Sequence, residues 1–336
     1  MQLERIFRRM IDVGRQAEWR DQATLDAQLA QRRSDYAALT GYEKRYYDLE
    51  RLKNPFGCSR ICAGAPDLDV RGMIVGINCT LEGVLYAERL RDKGRRIDAF
   101  LAHHGIPPSG DLYPDINNTH YNVLVDFGVP EDTARQIVER AIRDYTLRMG
   151  NEPTGFESHT DMALFNVHNP MDNLFALHTA QQIARERPAT VAEIVELLLT
   201  MEEFAIDARY NVLPEIAVGG PGAKVGCIYF DVLGGICLND EELAALLATG
   251  KVNTVVRLAY SNCIRICREA GVNLIFLPHN AHDNVGINLM LDQVVAEEPI
   301  DIVPTDGFYR VQRAPMTDFR WPKPATIPTR RSAGNG

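Results

Sequence analysis

Two adjacent histidines, His103 and His104, follow a short apolar run and stand directly before Gly105. The run 97–102 is predicted to be a β-strand, and successive strand residues point to opposite faces of a sheet. Both imidazole rings can therefore serve one site only if the strand ends there and the chain bends, as the glycine and the prolines after it allow. Open α/β sheets usually place their chemistry at the carboxyl ends of strands. The pair therefore predicts a site at a strand end.

Further imidazole and carboxylate groups follow two later apolar runs. His168 and Asp172 come after one, and His279 and Asp283 come after the other. Residues with i, i+4 spacing share one face of a helix, so the second pair can bind one metal ion or bridge two. Mixed imidazole and carboxylate donors suit Zn, Fe, Mn or Co better than Ca or Mg. The predicted metal ligands are His103, His104, Asp172, His279 and Asp283.

Five donors exceed the needs of one tetrahedral ion. They suit two ions ~3.5–4 Å apart that share a carboxylate and activate a water between them. For any one of these histidines alone, the alternative is a structural hydrogen-bonding role. His168 is interpreted as an outer partner of the site rather than a ligand, whereas His120 and His159 are candidates for acid/base catalysis or substrate contact.

The elements that must position these residues read as two strand–helix–strand units. The first comprises a strand over 73–78, a helix over 81–93 and the strand that leads to the histidine pair. The second spans 254–277 and leads to His279. We interpret them as an internal pseudo-repeat that brings two strand ends to a common pocket. The alternative is that any two such units look alike.

The remainder of the chain completes the predicted layout. Residues 1–70 form a helical N-terminal extension, 71–180 a first α/β lobe, 181–313 a second α/β lobe whose last strand is 308–312, and 314–336 an extended tail. The sequence thus predicts an α/β protein of two pseudo-repeated lobes with mixed sheets and a dinuclear metal site between them.

Composition narrows the class of protein. The chain has 336 residues, of which 46% are hydrophobic, so a sizeable core is available. A net charge of −9 without a basic run argues against nucleic acid, and no apolar run is long enough for a membrane span. Seven cysteines, an odd number in a long chain, indicate reduced thiols in a cytoplasmic protein. Of the two Cys-x-x-x-Cys pairs, Cys263 and Cys267 lie on the predicted helix of the second unit and are interpreted as core, and a four-thiolate site is not favoured.

Three motifs resemble a known family. Ala102-His103-His104, His168-Asn-Pro-Met-Asp172, and Pro278-His279 followed by Asp283 are similar to motifs of the dinuclear-metal-centre family of NGG-interacting-factor-three type, often named the GTP cyclohydrolase I type 2 family. The likeness covers roughly residues 1 to 313 and is greatest to a longer branch common in archaea. It implies that the five predicted ligands hold two metals, and it implies a homo-oligomer, commonly a hexamer.

Three departures from the family pattern accompany the likeness. Gly105 replaces a usual proline, Pro278 replaces a glycine, and Asp283 stands where the commoner form has glutamate. The shorter carboxylate of Asp283 can chelate one metal less symmetrically than a glutamate in the bridging role.

The function favoured by these residues is metal-dependent hydrolysis. A metal-bridging hydroxide would attack a small substrate, heterocyclic or nucleotide-like, with His120 or His159 as proton carrier. One alternative is a metal-binding chaperone or regulatory scaffold without turnover. Another is a di-iron enzyme that handles redox chemistry or oxygen. The chain lacks a clear guanine-reading or triphosphate-binding signature, so the substrate stays open.

Overall fold

The computed structural model describes residues 1–106, 113–148, 160–259 and 262–322. Nine strands in two sheets lie within these ranges. The strands are β1 Ser59–Ala63, β2 Gly72–Gly76, β3 Ala99–Ala102, β4 Ala163–Val167, β5 Glu215–Val218, β6 Ile228–Asp231, β7 Thr254–Arg257, β8 Asn273–Phe276 and β9 Asp301–Pro304. The helices are α1 Leu3–Ala17, α2 Gln22–Ala38, α3 Gly41–Arg45, α4 Leu81–Asp92, α5 Tyr113–Asp126, α6 Glu131–Arg148, α7 Asn169–Glu186, α8 Val191–Leu199, α9 Glu202–Ala208, α10 Asp240–Ala248, α11 Cys263–Ala270 and α12 His279–Val295, with a 3₁₀ turn at Leu49–Leu52.

The larger sheet has the strand order β1-β4-β3-β2-β9. Strands β4, β3, β2 and β9 are parallel, and β1 is antiparallel to β4 at one edge. Every residue of β2, β3 and β4 is buried, as expected for parallel strands that are covered on both faces. These are the apolar runs that the sequence indicated.

The smaller sheet, in the order β5-β8-β7-β6, repeats most of this pattern. Three parallel strands lie beside an antiparallel edge strand. Strand β4 lies next to the antiparallel edge strand β1, and β8 lies next to the antiparallel edge strand β5, so β4 and β8 occupy equivalent positions in the two sheets. The sequence predicts a match between the strand before His103 and the strand before His279, and the sheets correct this. Strand β4, which precedes His168, corresponds to β8, which precedes His279, so the two His-x-x-x-Asp motifs are the repeated feature.

Helices α7 and α12 follow these equivalent strands and pack against each other. A side chain at Gly286 would place its Cβ 2.5 Å from the carbonyl oxygen of Met171, so the crossing is closer than any other residue permits. Helix α1 packs on both helices, with Gly14 against Pro170. The predicted helical N-terminal region is confirmed, and the apolar face of α1 contributes Leu3, Ile6, Phe7 and Met10 to the core.

One predicted element differs in the structure. The strand predicted over 308–312 is an extended segment outside both sheets, because its backbone pairs with side chains of α12 instead of another strand. Asn284 accepts from Tyr309 N at 2.9 Å, and Asn288 accepts from Val311 N at 3.0 Å.

Two strands of the larger sheet come from outside the range predicted for the first lobe. Strand β1 lies within the predicted N-terminal extension, and β9 lies near the end of the predicted second lobe. The division of the chain into lobes therefore stays a prediction. Among the described helices, none has the length and apolarity required to cross a lipid bilayer.

Candidate metal centre

The five predicted ligands come together where the repeated units end. His103 and His104 directly follow β3, and their backbone N–H groups donate to the carbonyls of Gly76 and Ile77 at 3.1 and 2.9 Å. The histidine pair is thereby fixed at the end of β2 and β3. Asp172 lies in the first turn of α7. His279 and Asp283 lie in the first turns of α12.

Three of these side chains form what we term the inner group: His103, Asp172 and Asp283. The Nε2 atom of His103 lies 3.4 Å from Asp172 Oδ1 and 3.6 Å from Asp283 Oδ1. All three side chains are 3% exposed or less. A tetrahedral ion with metal–ligand bonds of about 2.1 Å separates its ligand atoms by about 3.4 Å. The inner group has the spacing of a ligand shell.

The outer group consists of His104, His279 and, again, Asp283. His104 Nε2 lies 3.6 Å from Asp283 Oδ2, and His279 Nε2 lies 3.6 Å from Asp283 Oδ1. The two imidazoles are 28% and 44% exposed, so this group faces solvent. Within each group the ligand atoms lie within 4.8 Å of one another. Asp283 is shared by both groups.

Several buried polar atoms of the site have no hydrogen-bond partner within the described residues. They include both ring nitrogens of His103, the Nε2 atom of His282 and the Oδ2 atoms of Asp172 and Asp283. Buried polar atoms are nearly always satisfied, and a divalent cation would satisfy these. The cluster could therefore hold a metal ion. None of the candidate metal-binding groups in the described part of the chain includes a cysteine.

Electrostatics within the cluster favour charged carboxylates. Burial raises the pKa of Asp172, but His103 and His168 lower it more, so its pKa lies below the ordinary value. Burial likewise acts against a charged Asp283, and His103 and His282 bring its pKa well below the usual range. For His103, burial lowers the pKa, yet the two carboxylates raise it to about 10. Two buried, charged carboxylates are destabilising unless a positive charge lies beside them.

His104 has the opposite balance. Burial and the neighbouring histidines His103 and His168 lower its pKa to about 3, so its ring is neutral. Its Nδ1 lies 2.9 Å from Asn78 Oδ1, an acceptor, so Nδ1 carries the proton. Nε2 is then the bare nitrogen, and it is the atom that faces Asp283. This is the arrangement in which a supporting residue sets the tautomer of a metal-binding histidine.

His168 is interpreted from the sequence as an outer partner of the ligands, but its ring nitrogen lies among the candidate ligand atoms themselves. Its Nε2 lies 3.4 Å from Asp172 Oδ2, and it forms a third group of neighbouring ligand atoms with His103 and His104. The loop after β6 covers this side of the site. Gly235, at φ +85°, is so close that a Cβ there would lie 3.0 Å from Asp172 Oδ2.

His282 is a member of the cluster that sequence reasoning missed. Its Nδ1 lies 2.8 Å from Asp283 Oδ1, and its ring is 2% exposed. Its position three residues after His279 was the available signal, because i and i+3 residues share a helix face.

Of the two predicted acid/base histidines, the structure describes His120, which belongs to none of the candidate metal-binding groups. His120 is buried, with Nδ1 3.1 Å from Glu242 Oε1 and Nε2 2.9 Å from the carbonyl oxygen of Ile236. Both of its ring nitrogens are thus engaged. His159 lies outside the described residues.

Comparison with known proteins gives one informative likeness. Neither a family model nor a curated protein matches the chain. A solved structure of a NIF3 superfamily protein from Sphaerobacter thermophilus is 26% identical, with a TM-score of 0.63, and the match covers 75% of this chain and 92% of that one. A protein from Thermus thermophilus is 15% identical, with a TM-score of 0.42 over 84% of this chain and 95% of its own. HcgD from Methanocaldococcus jannaschii is 9% identical, with a TM-score of 0.45 over 79% of this chain and 95% of its own.

The fold and site together define a mixed α/β protein with a histidine–carboxylate cluster that could hold a metal. By its fold the chain is similar to the NIF3 superfamily, so the family resemblance predicted from the three motifs is confirmed. Its placement in a longer, archaeal-like branch stays a prediction.

Proposed function

We propose that the chain is a metal-dependent hydrolase whose cluster holds two divalent ions, Fe, Zn or Mn. The observation that carries this proposal is the position of Asp283 in both groups: its Oδ1 lies 3.6 Å from Nε2 of both His103 and His279, and its Oδ2 lies 3.6 Å from His104 Nε2. One carboxylate between two sets of imidazole donors is the arrangement that two ions ~3.5–4 Å apart require. The shorter side chain of aspartate is therefore compatible with a bridging role.

The buried inner group and the solvent-exposed outer group would have different roles. Two divalent ions supply a Lewis acid and an activated water in such a site. The inner group, with two buried carboxylates, holds its ligand atoms away from solvent. The outer group opens to solvent beside His279, so a substrate approaches from that side. Asn78 keeps His104 in the tautomer that leaves Nε2 bare. The small heterocyclic or nucleotide-like substrate class rests on the family resemblance.

Elemental analysis tests the metal content directly. Wild-type protein, purified without added metal or reconstituted with Zn²⁺, Mn²⁺ or Fe²⁺, is expected to hold about two equivalents per chain. Asp283→Asn is expected to lose both, because each group loses its shared anionic ligand. Asp292→Asn is the matched control: it makes the same change on the same helix, at a carboxylate that pairs with Arg310 instead. Absence of metal from reconstituted wild type would contradict the proposal.

Turnover needs a second measurement. The loaded protein is incubated with nucleotides and related heterocycles, and ring opening or phosphate release is followed. We expect activity in wild type and in Asp292→Asn but none in Asp283→Asn.

The competing function is a metal carrier or scaffold without turnover. The engagement of His120 with Glu242 and Ile236 favours it, because one predicted proton carrier is not available at the site. Two tightly held equivalents with no hydrolysis across the panel would support this alternative. A di-iron enzyme would be distinguished by activity that requires Fe and oxygen or an electron donor, and His159→Asn tests the remaining predicted proton carrier.

A further inference from the structure

His282 occupies the space between the two carboxylates of the inner group. Its Nδ1 lies 2.8 Å from Asp283 Oδ1, and its Nε2 lies 3.5 Å from Asp172 Oδ1. A carboxylate only accepts hydrogen bonds, so the short contact places a proton on Nδ1 and makes it the donor. Asp172 belongs to α7 and Asp283 to α12, so one imidazole spans the two helices.

The ring of His282 is held in this orientation by packing. It is 2% exposed and meets the Phe175 ring edge-to-face, with centroids 4.4 Å apart. Phe175 stands one turn after Asp172 on α7. His282 does not join the groups of mutually close ligand atoms formed by its neighbours. The contact of its Nδ1 with Asp283 is that of a residue that supports a ligand.

We propose that His282 is a positioning residue that fixes the orientation of Asp283 as the carboxylate shared by the two groups. This inference rests on the proposed metal-binding function. The terminal torsion of an aspartate is broad, so its two oxygens are not oriented by the rotamer alone. The hydrogen bond from His282 holds Oδ1 on the side of His103 and thereby directs Oδ2 to His104.

This role is most needed where the shared carboxylate is short. An aspartate reaches both groups from one backbone position only if its plane is set, since it has one torsion fewer than glutamate with which to adjust. Partners of this kind, which hydrogen-bond to metal ligands, typically alter metal affinity by 10- to 100-fold when they are removed.

The experiment is a titration of metal-free protein with Co²⁺, followed by its visible absorption bands. His282→Leu removes the donor and keeps an apolar contact for Phe175. His282→Asn keeps a side-chain N–H that can donate to Asp283. His178→Leu is the matched control, because His178 lies on α7 and its Nε2 contacts Gln182 rather than the cluster.

We expect Co²⁺ affinity to fall on the order of 10- to 100-fold in His282→Leu, with altered bands. His282→Asn is expected to recover most of the affinity and the wild-type bands, and His178→Leu to leave both unchanged. Thermal unfolding of each metal-free variant reports whether it folds. If His282→Leu binds Co²⁺ as wild type does, or if the leucine and asparagine variants lose affinity equally, the positioning role is overturned. Wild type that binds no Co²⁺ would instead overturn the proposed metal centre itself.

Discussion

His120 is held between two hydrogen-bond acceptors, the Glu242 carboxylate and the carbonyl of Ile236. Both ring nitrogens must donate to satisfy both acceptors, which requires the imidazolium form. Burial lowers the pKa of this ring, but the charge of Glu242 more than offsets it, so the pKa of His120 is raised. The residue therefore serves as the buried cation for Glu242, which is also the carboxylate of the capping box that starts α10.

We predict that His120→Leu lowers the free energy of unfolding by about 3–5 kcal/mol, because it leaves Glu242 buried without its partner. A raised pKa in the folded state contributes stability that is complete below the ordinary value near 6.5 and is lost as pH rises through the raised value. The difference in free energy of unfolding between wild type and His120→Leu should therefore be largest near pH 6 and shrink at alkaline pH. Urea unfolding in the presence of chelator measures it.

His178 provides a control because its pKa is shifted in the opposite direction, downward instead of upward. Burial, aided by the nearby Arg313, lowers its pKa to about 4, so the folded state resists its protonation below about pH 6.5. The stability of His178→Leu relative to wild type should improve as pH falls from 7 to 5. A pH-independent loss in His120→Leu would show that the lost stability comes from packing rather than charge.

At the scale of elements, the packing of α7 against α12 determines where the side chains of the site lie. Asp172 and the supporting Phe175 come from one helix, and His282 and Asp283 come from the other. The distance between the helices is limited by Gly286, whose missing side chain leaves room for the carbonyl of Met171. Because Met171 directly precedes Asp172, the contact that fixes the crossing also fixes a ligand.

We predict that Gly286→Ala costs roughly 1–3 kcal/mol of stability through overpacking and weakens metal binding as well. The new Cβ would meet a backbone carbonyl, which cannot rotate away, so α7 must shift. Urea unfolding of metal-free protein and Co²⁺ titration measure the two effects. Gly220→Ala is the matched control, because a Cβ there meets nothing within 4 Å. Wild-type values for Gly286→Ala in both measurements would contradict this account.

The elements that position the ligands could be predicted because their signals are local. Continuous apolar runs that end in histidine marked β3, β4 and β8, and covered parallel strands require such runs. The partner of His120 could not be predicted, since Glu242 is 122 residues away along the chain. The segment 308–312 is rich in residue types that favour strands, but its hydrogen bonds go to Asn284 and Asn288, which the sequence alone cannot place beside it.

At the scale of the whole molecule, the cluster joins the two sheets. Helix α7 follows β4 of the larger sheet, and α12 follows β8 of the smaller one, so ions held between them would link the two halves of the repeat. A ligand that binds only the folded state adds about 2.7 kcal/mol of stability at a concentration one hundred times its dissociation constant. Bound metal would therefore stabilise the arrangement of the sheets as well as the site.

The two groups differ in how solvent reaches them, and this difference leads to the last prediction. The inner side chains are at most 3% exposed, whereas His104 and His279 are 28% and 44% exposed. A chelator must approach an ion before it removes it. We therefore expect excess chelator to extract Zn²⁺ from wild type in two phases of about one equivalent each, the fast phase from the outer group and the slow phase from the inner group.

Two variants show which group of ligands gives rise to each phase of metal release. His279→Ala removes an outer ligand and should abolish the fast phase while the slow one persists. Asp172→Asn removes an inner ligand and should abolish the slow phase. Unfolding measured after the fast phase should show that most of the metal-dependent stability is retained, because the inner ion still links α7 to α12. A single phase in wild type, or equal effects of the two variants, would mean that the two groups release metal as one unit.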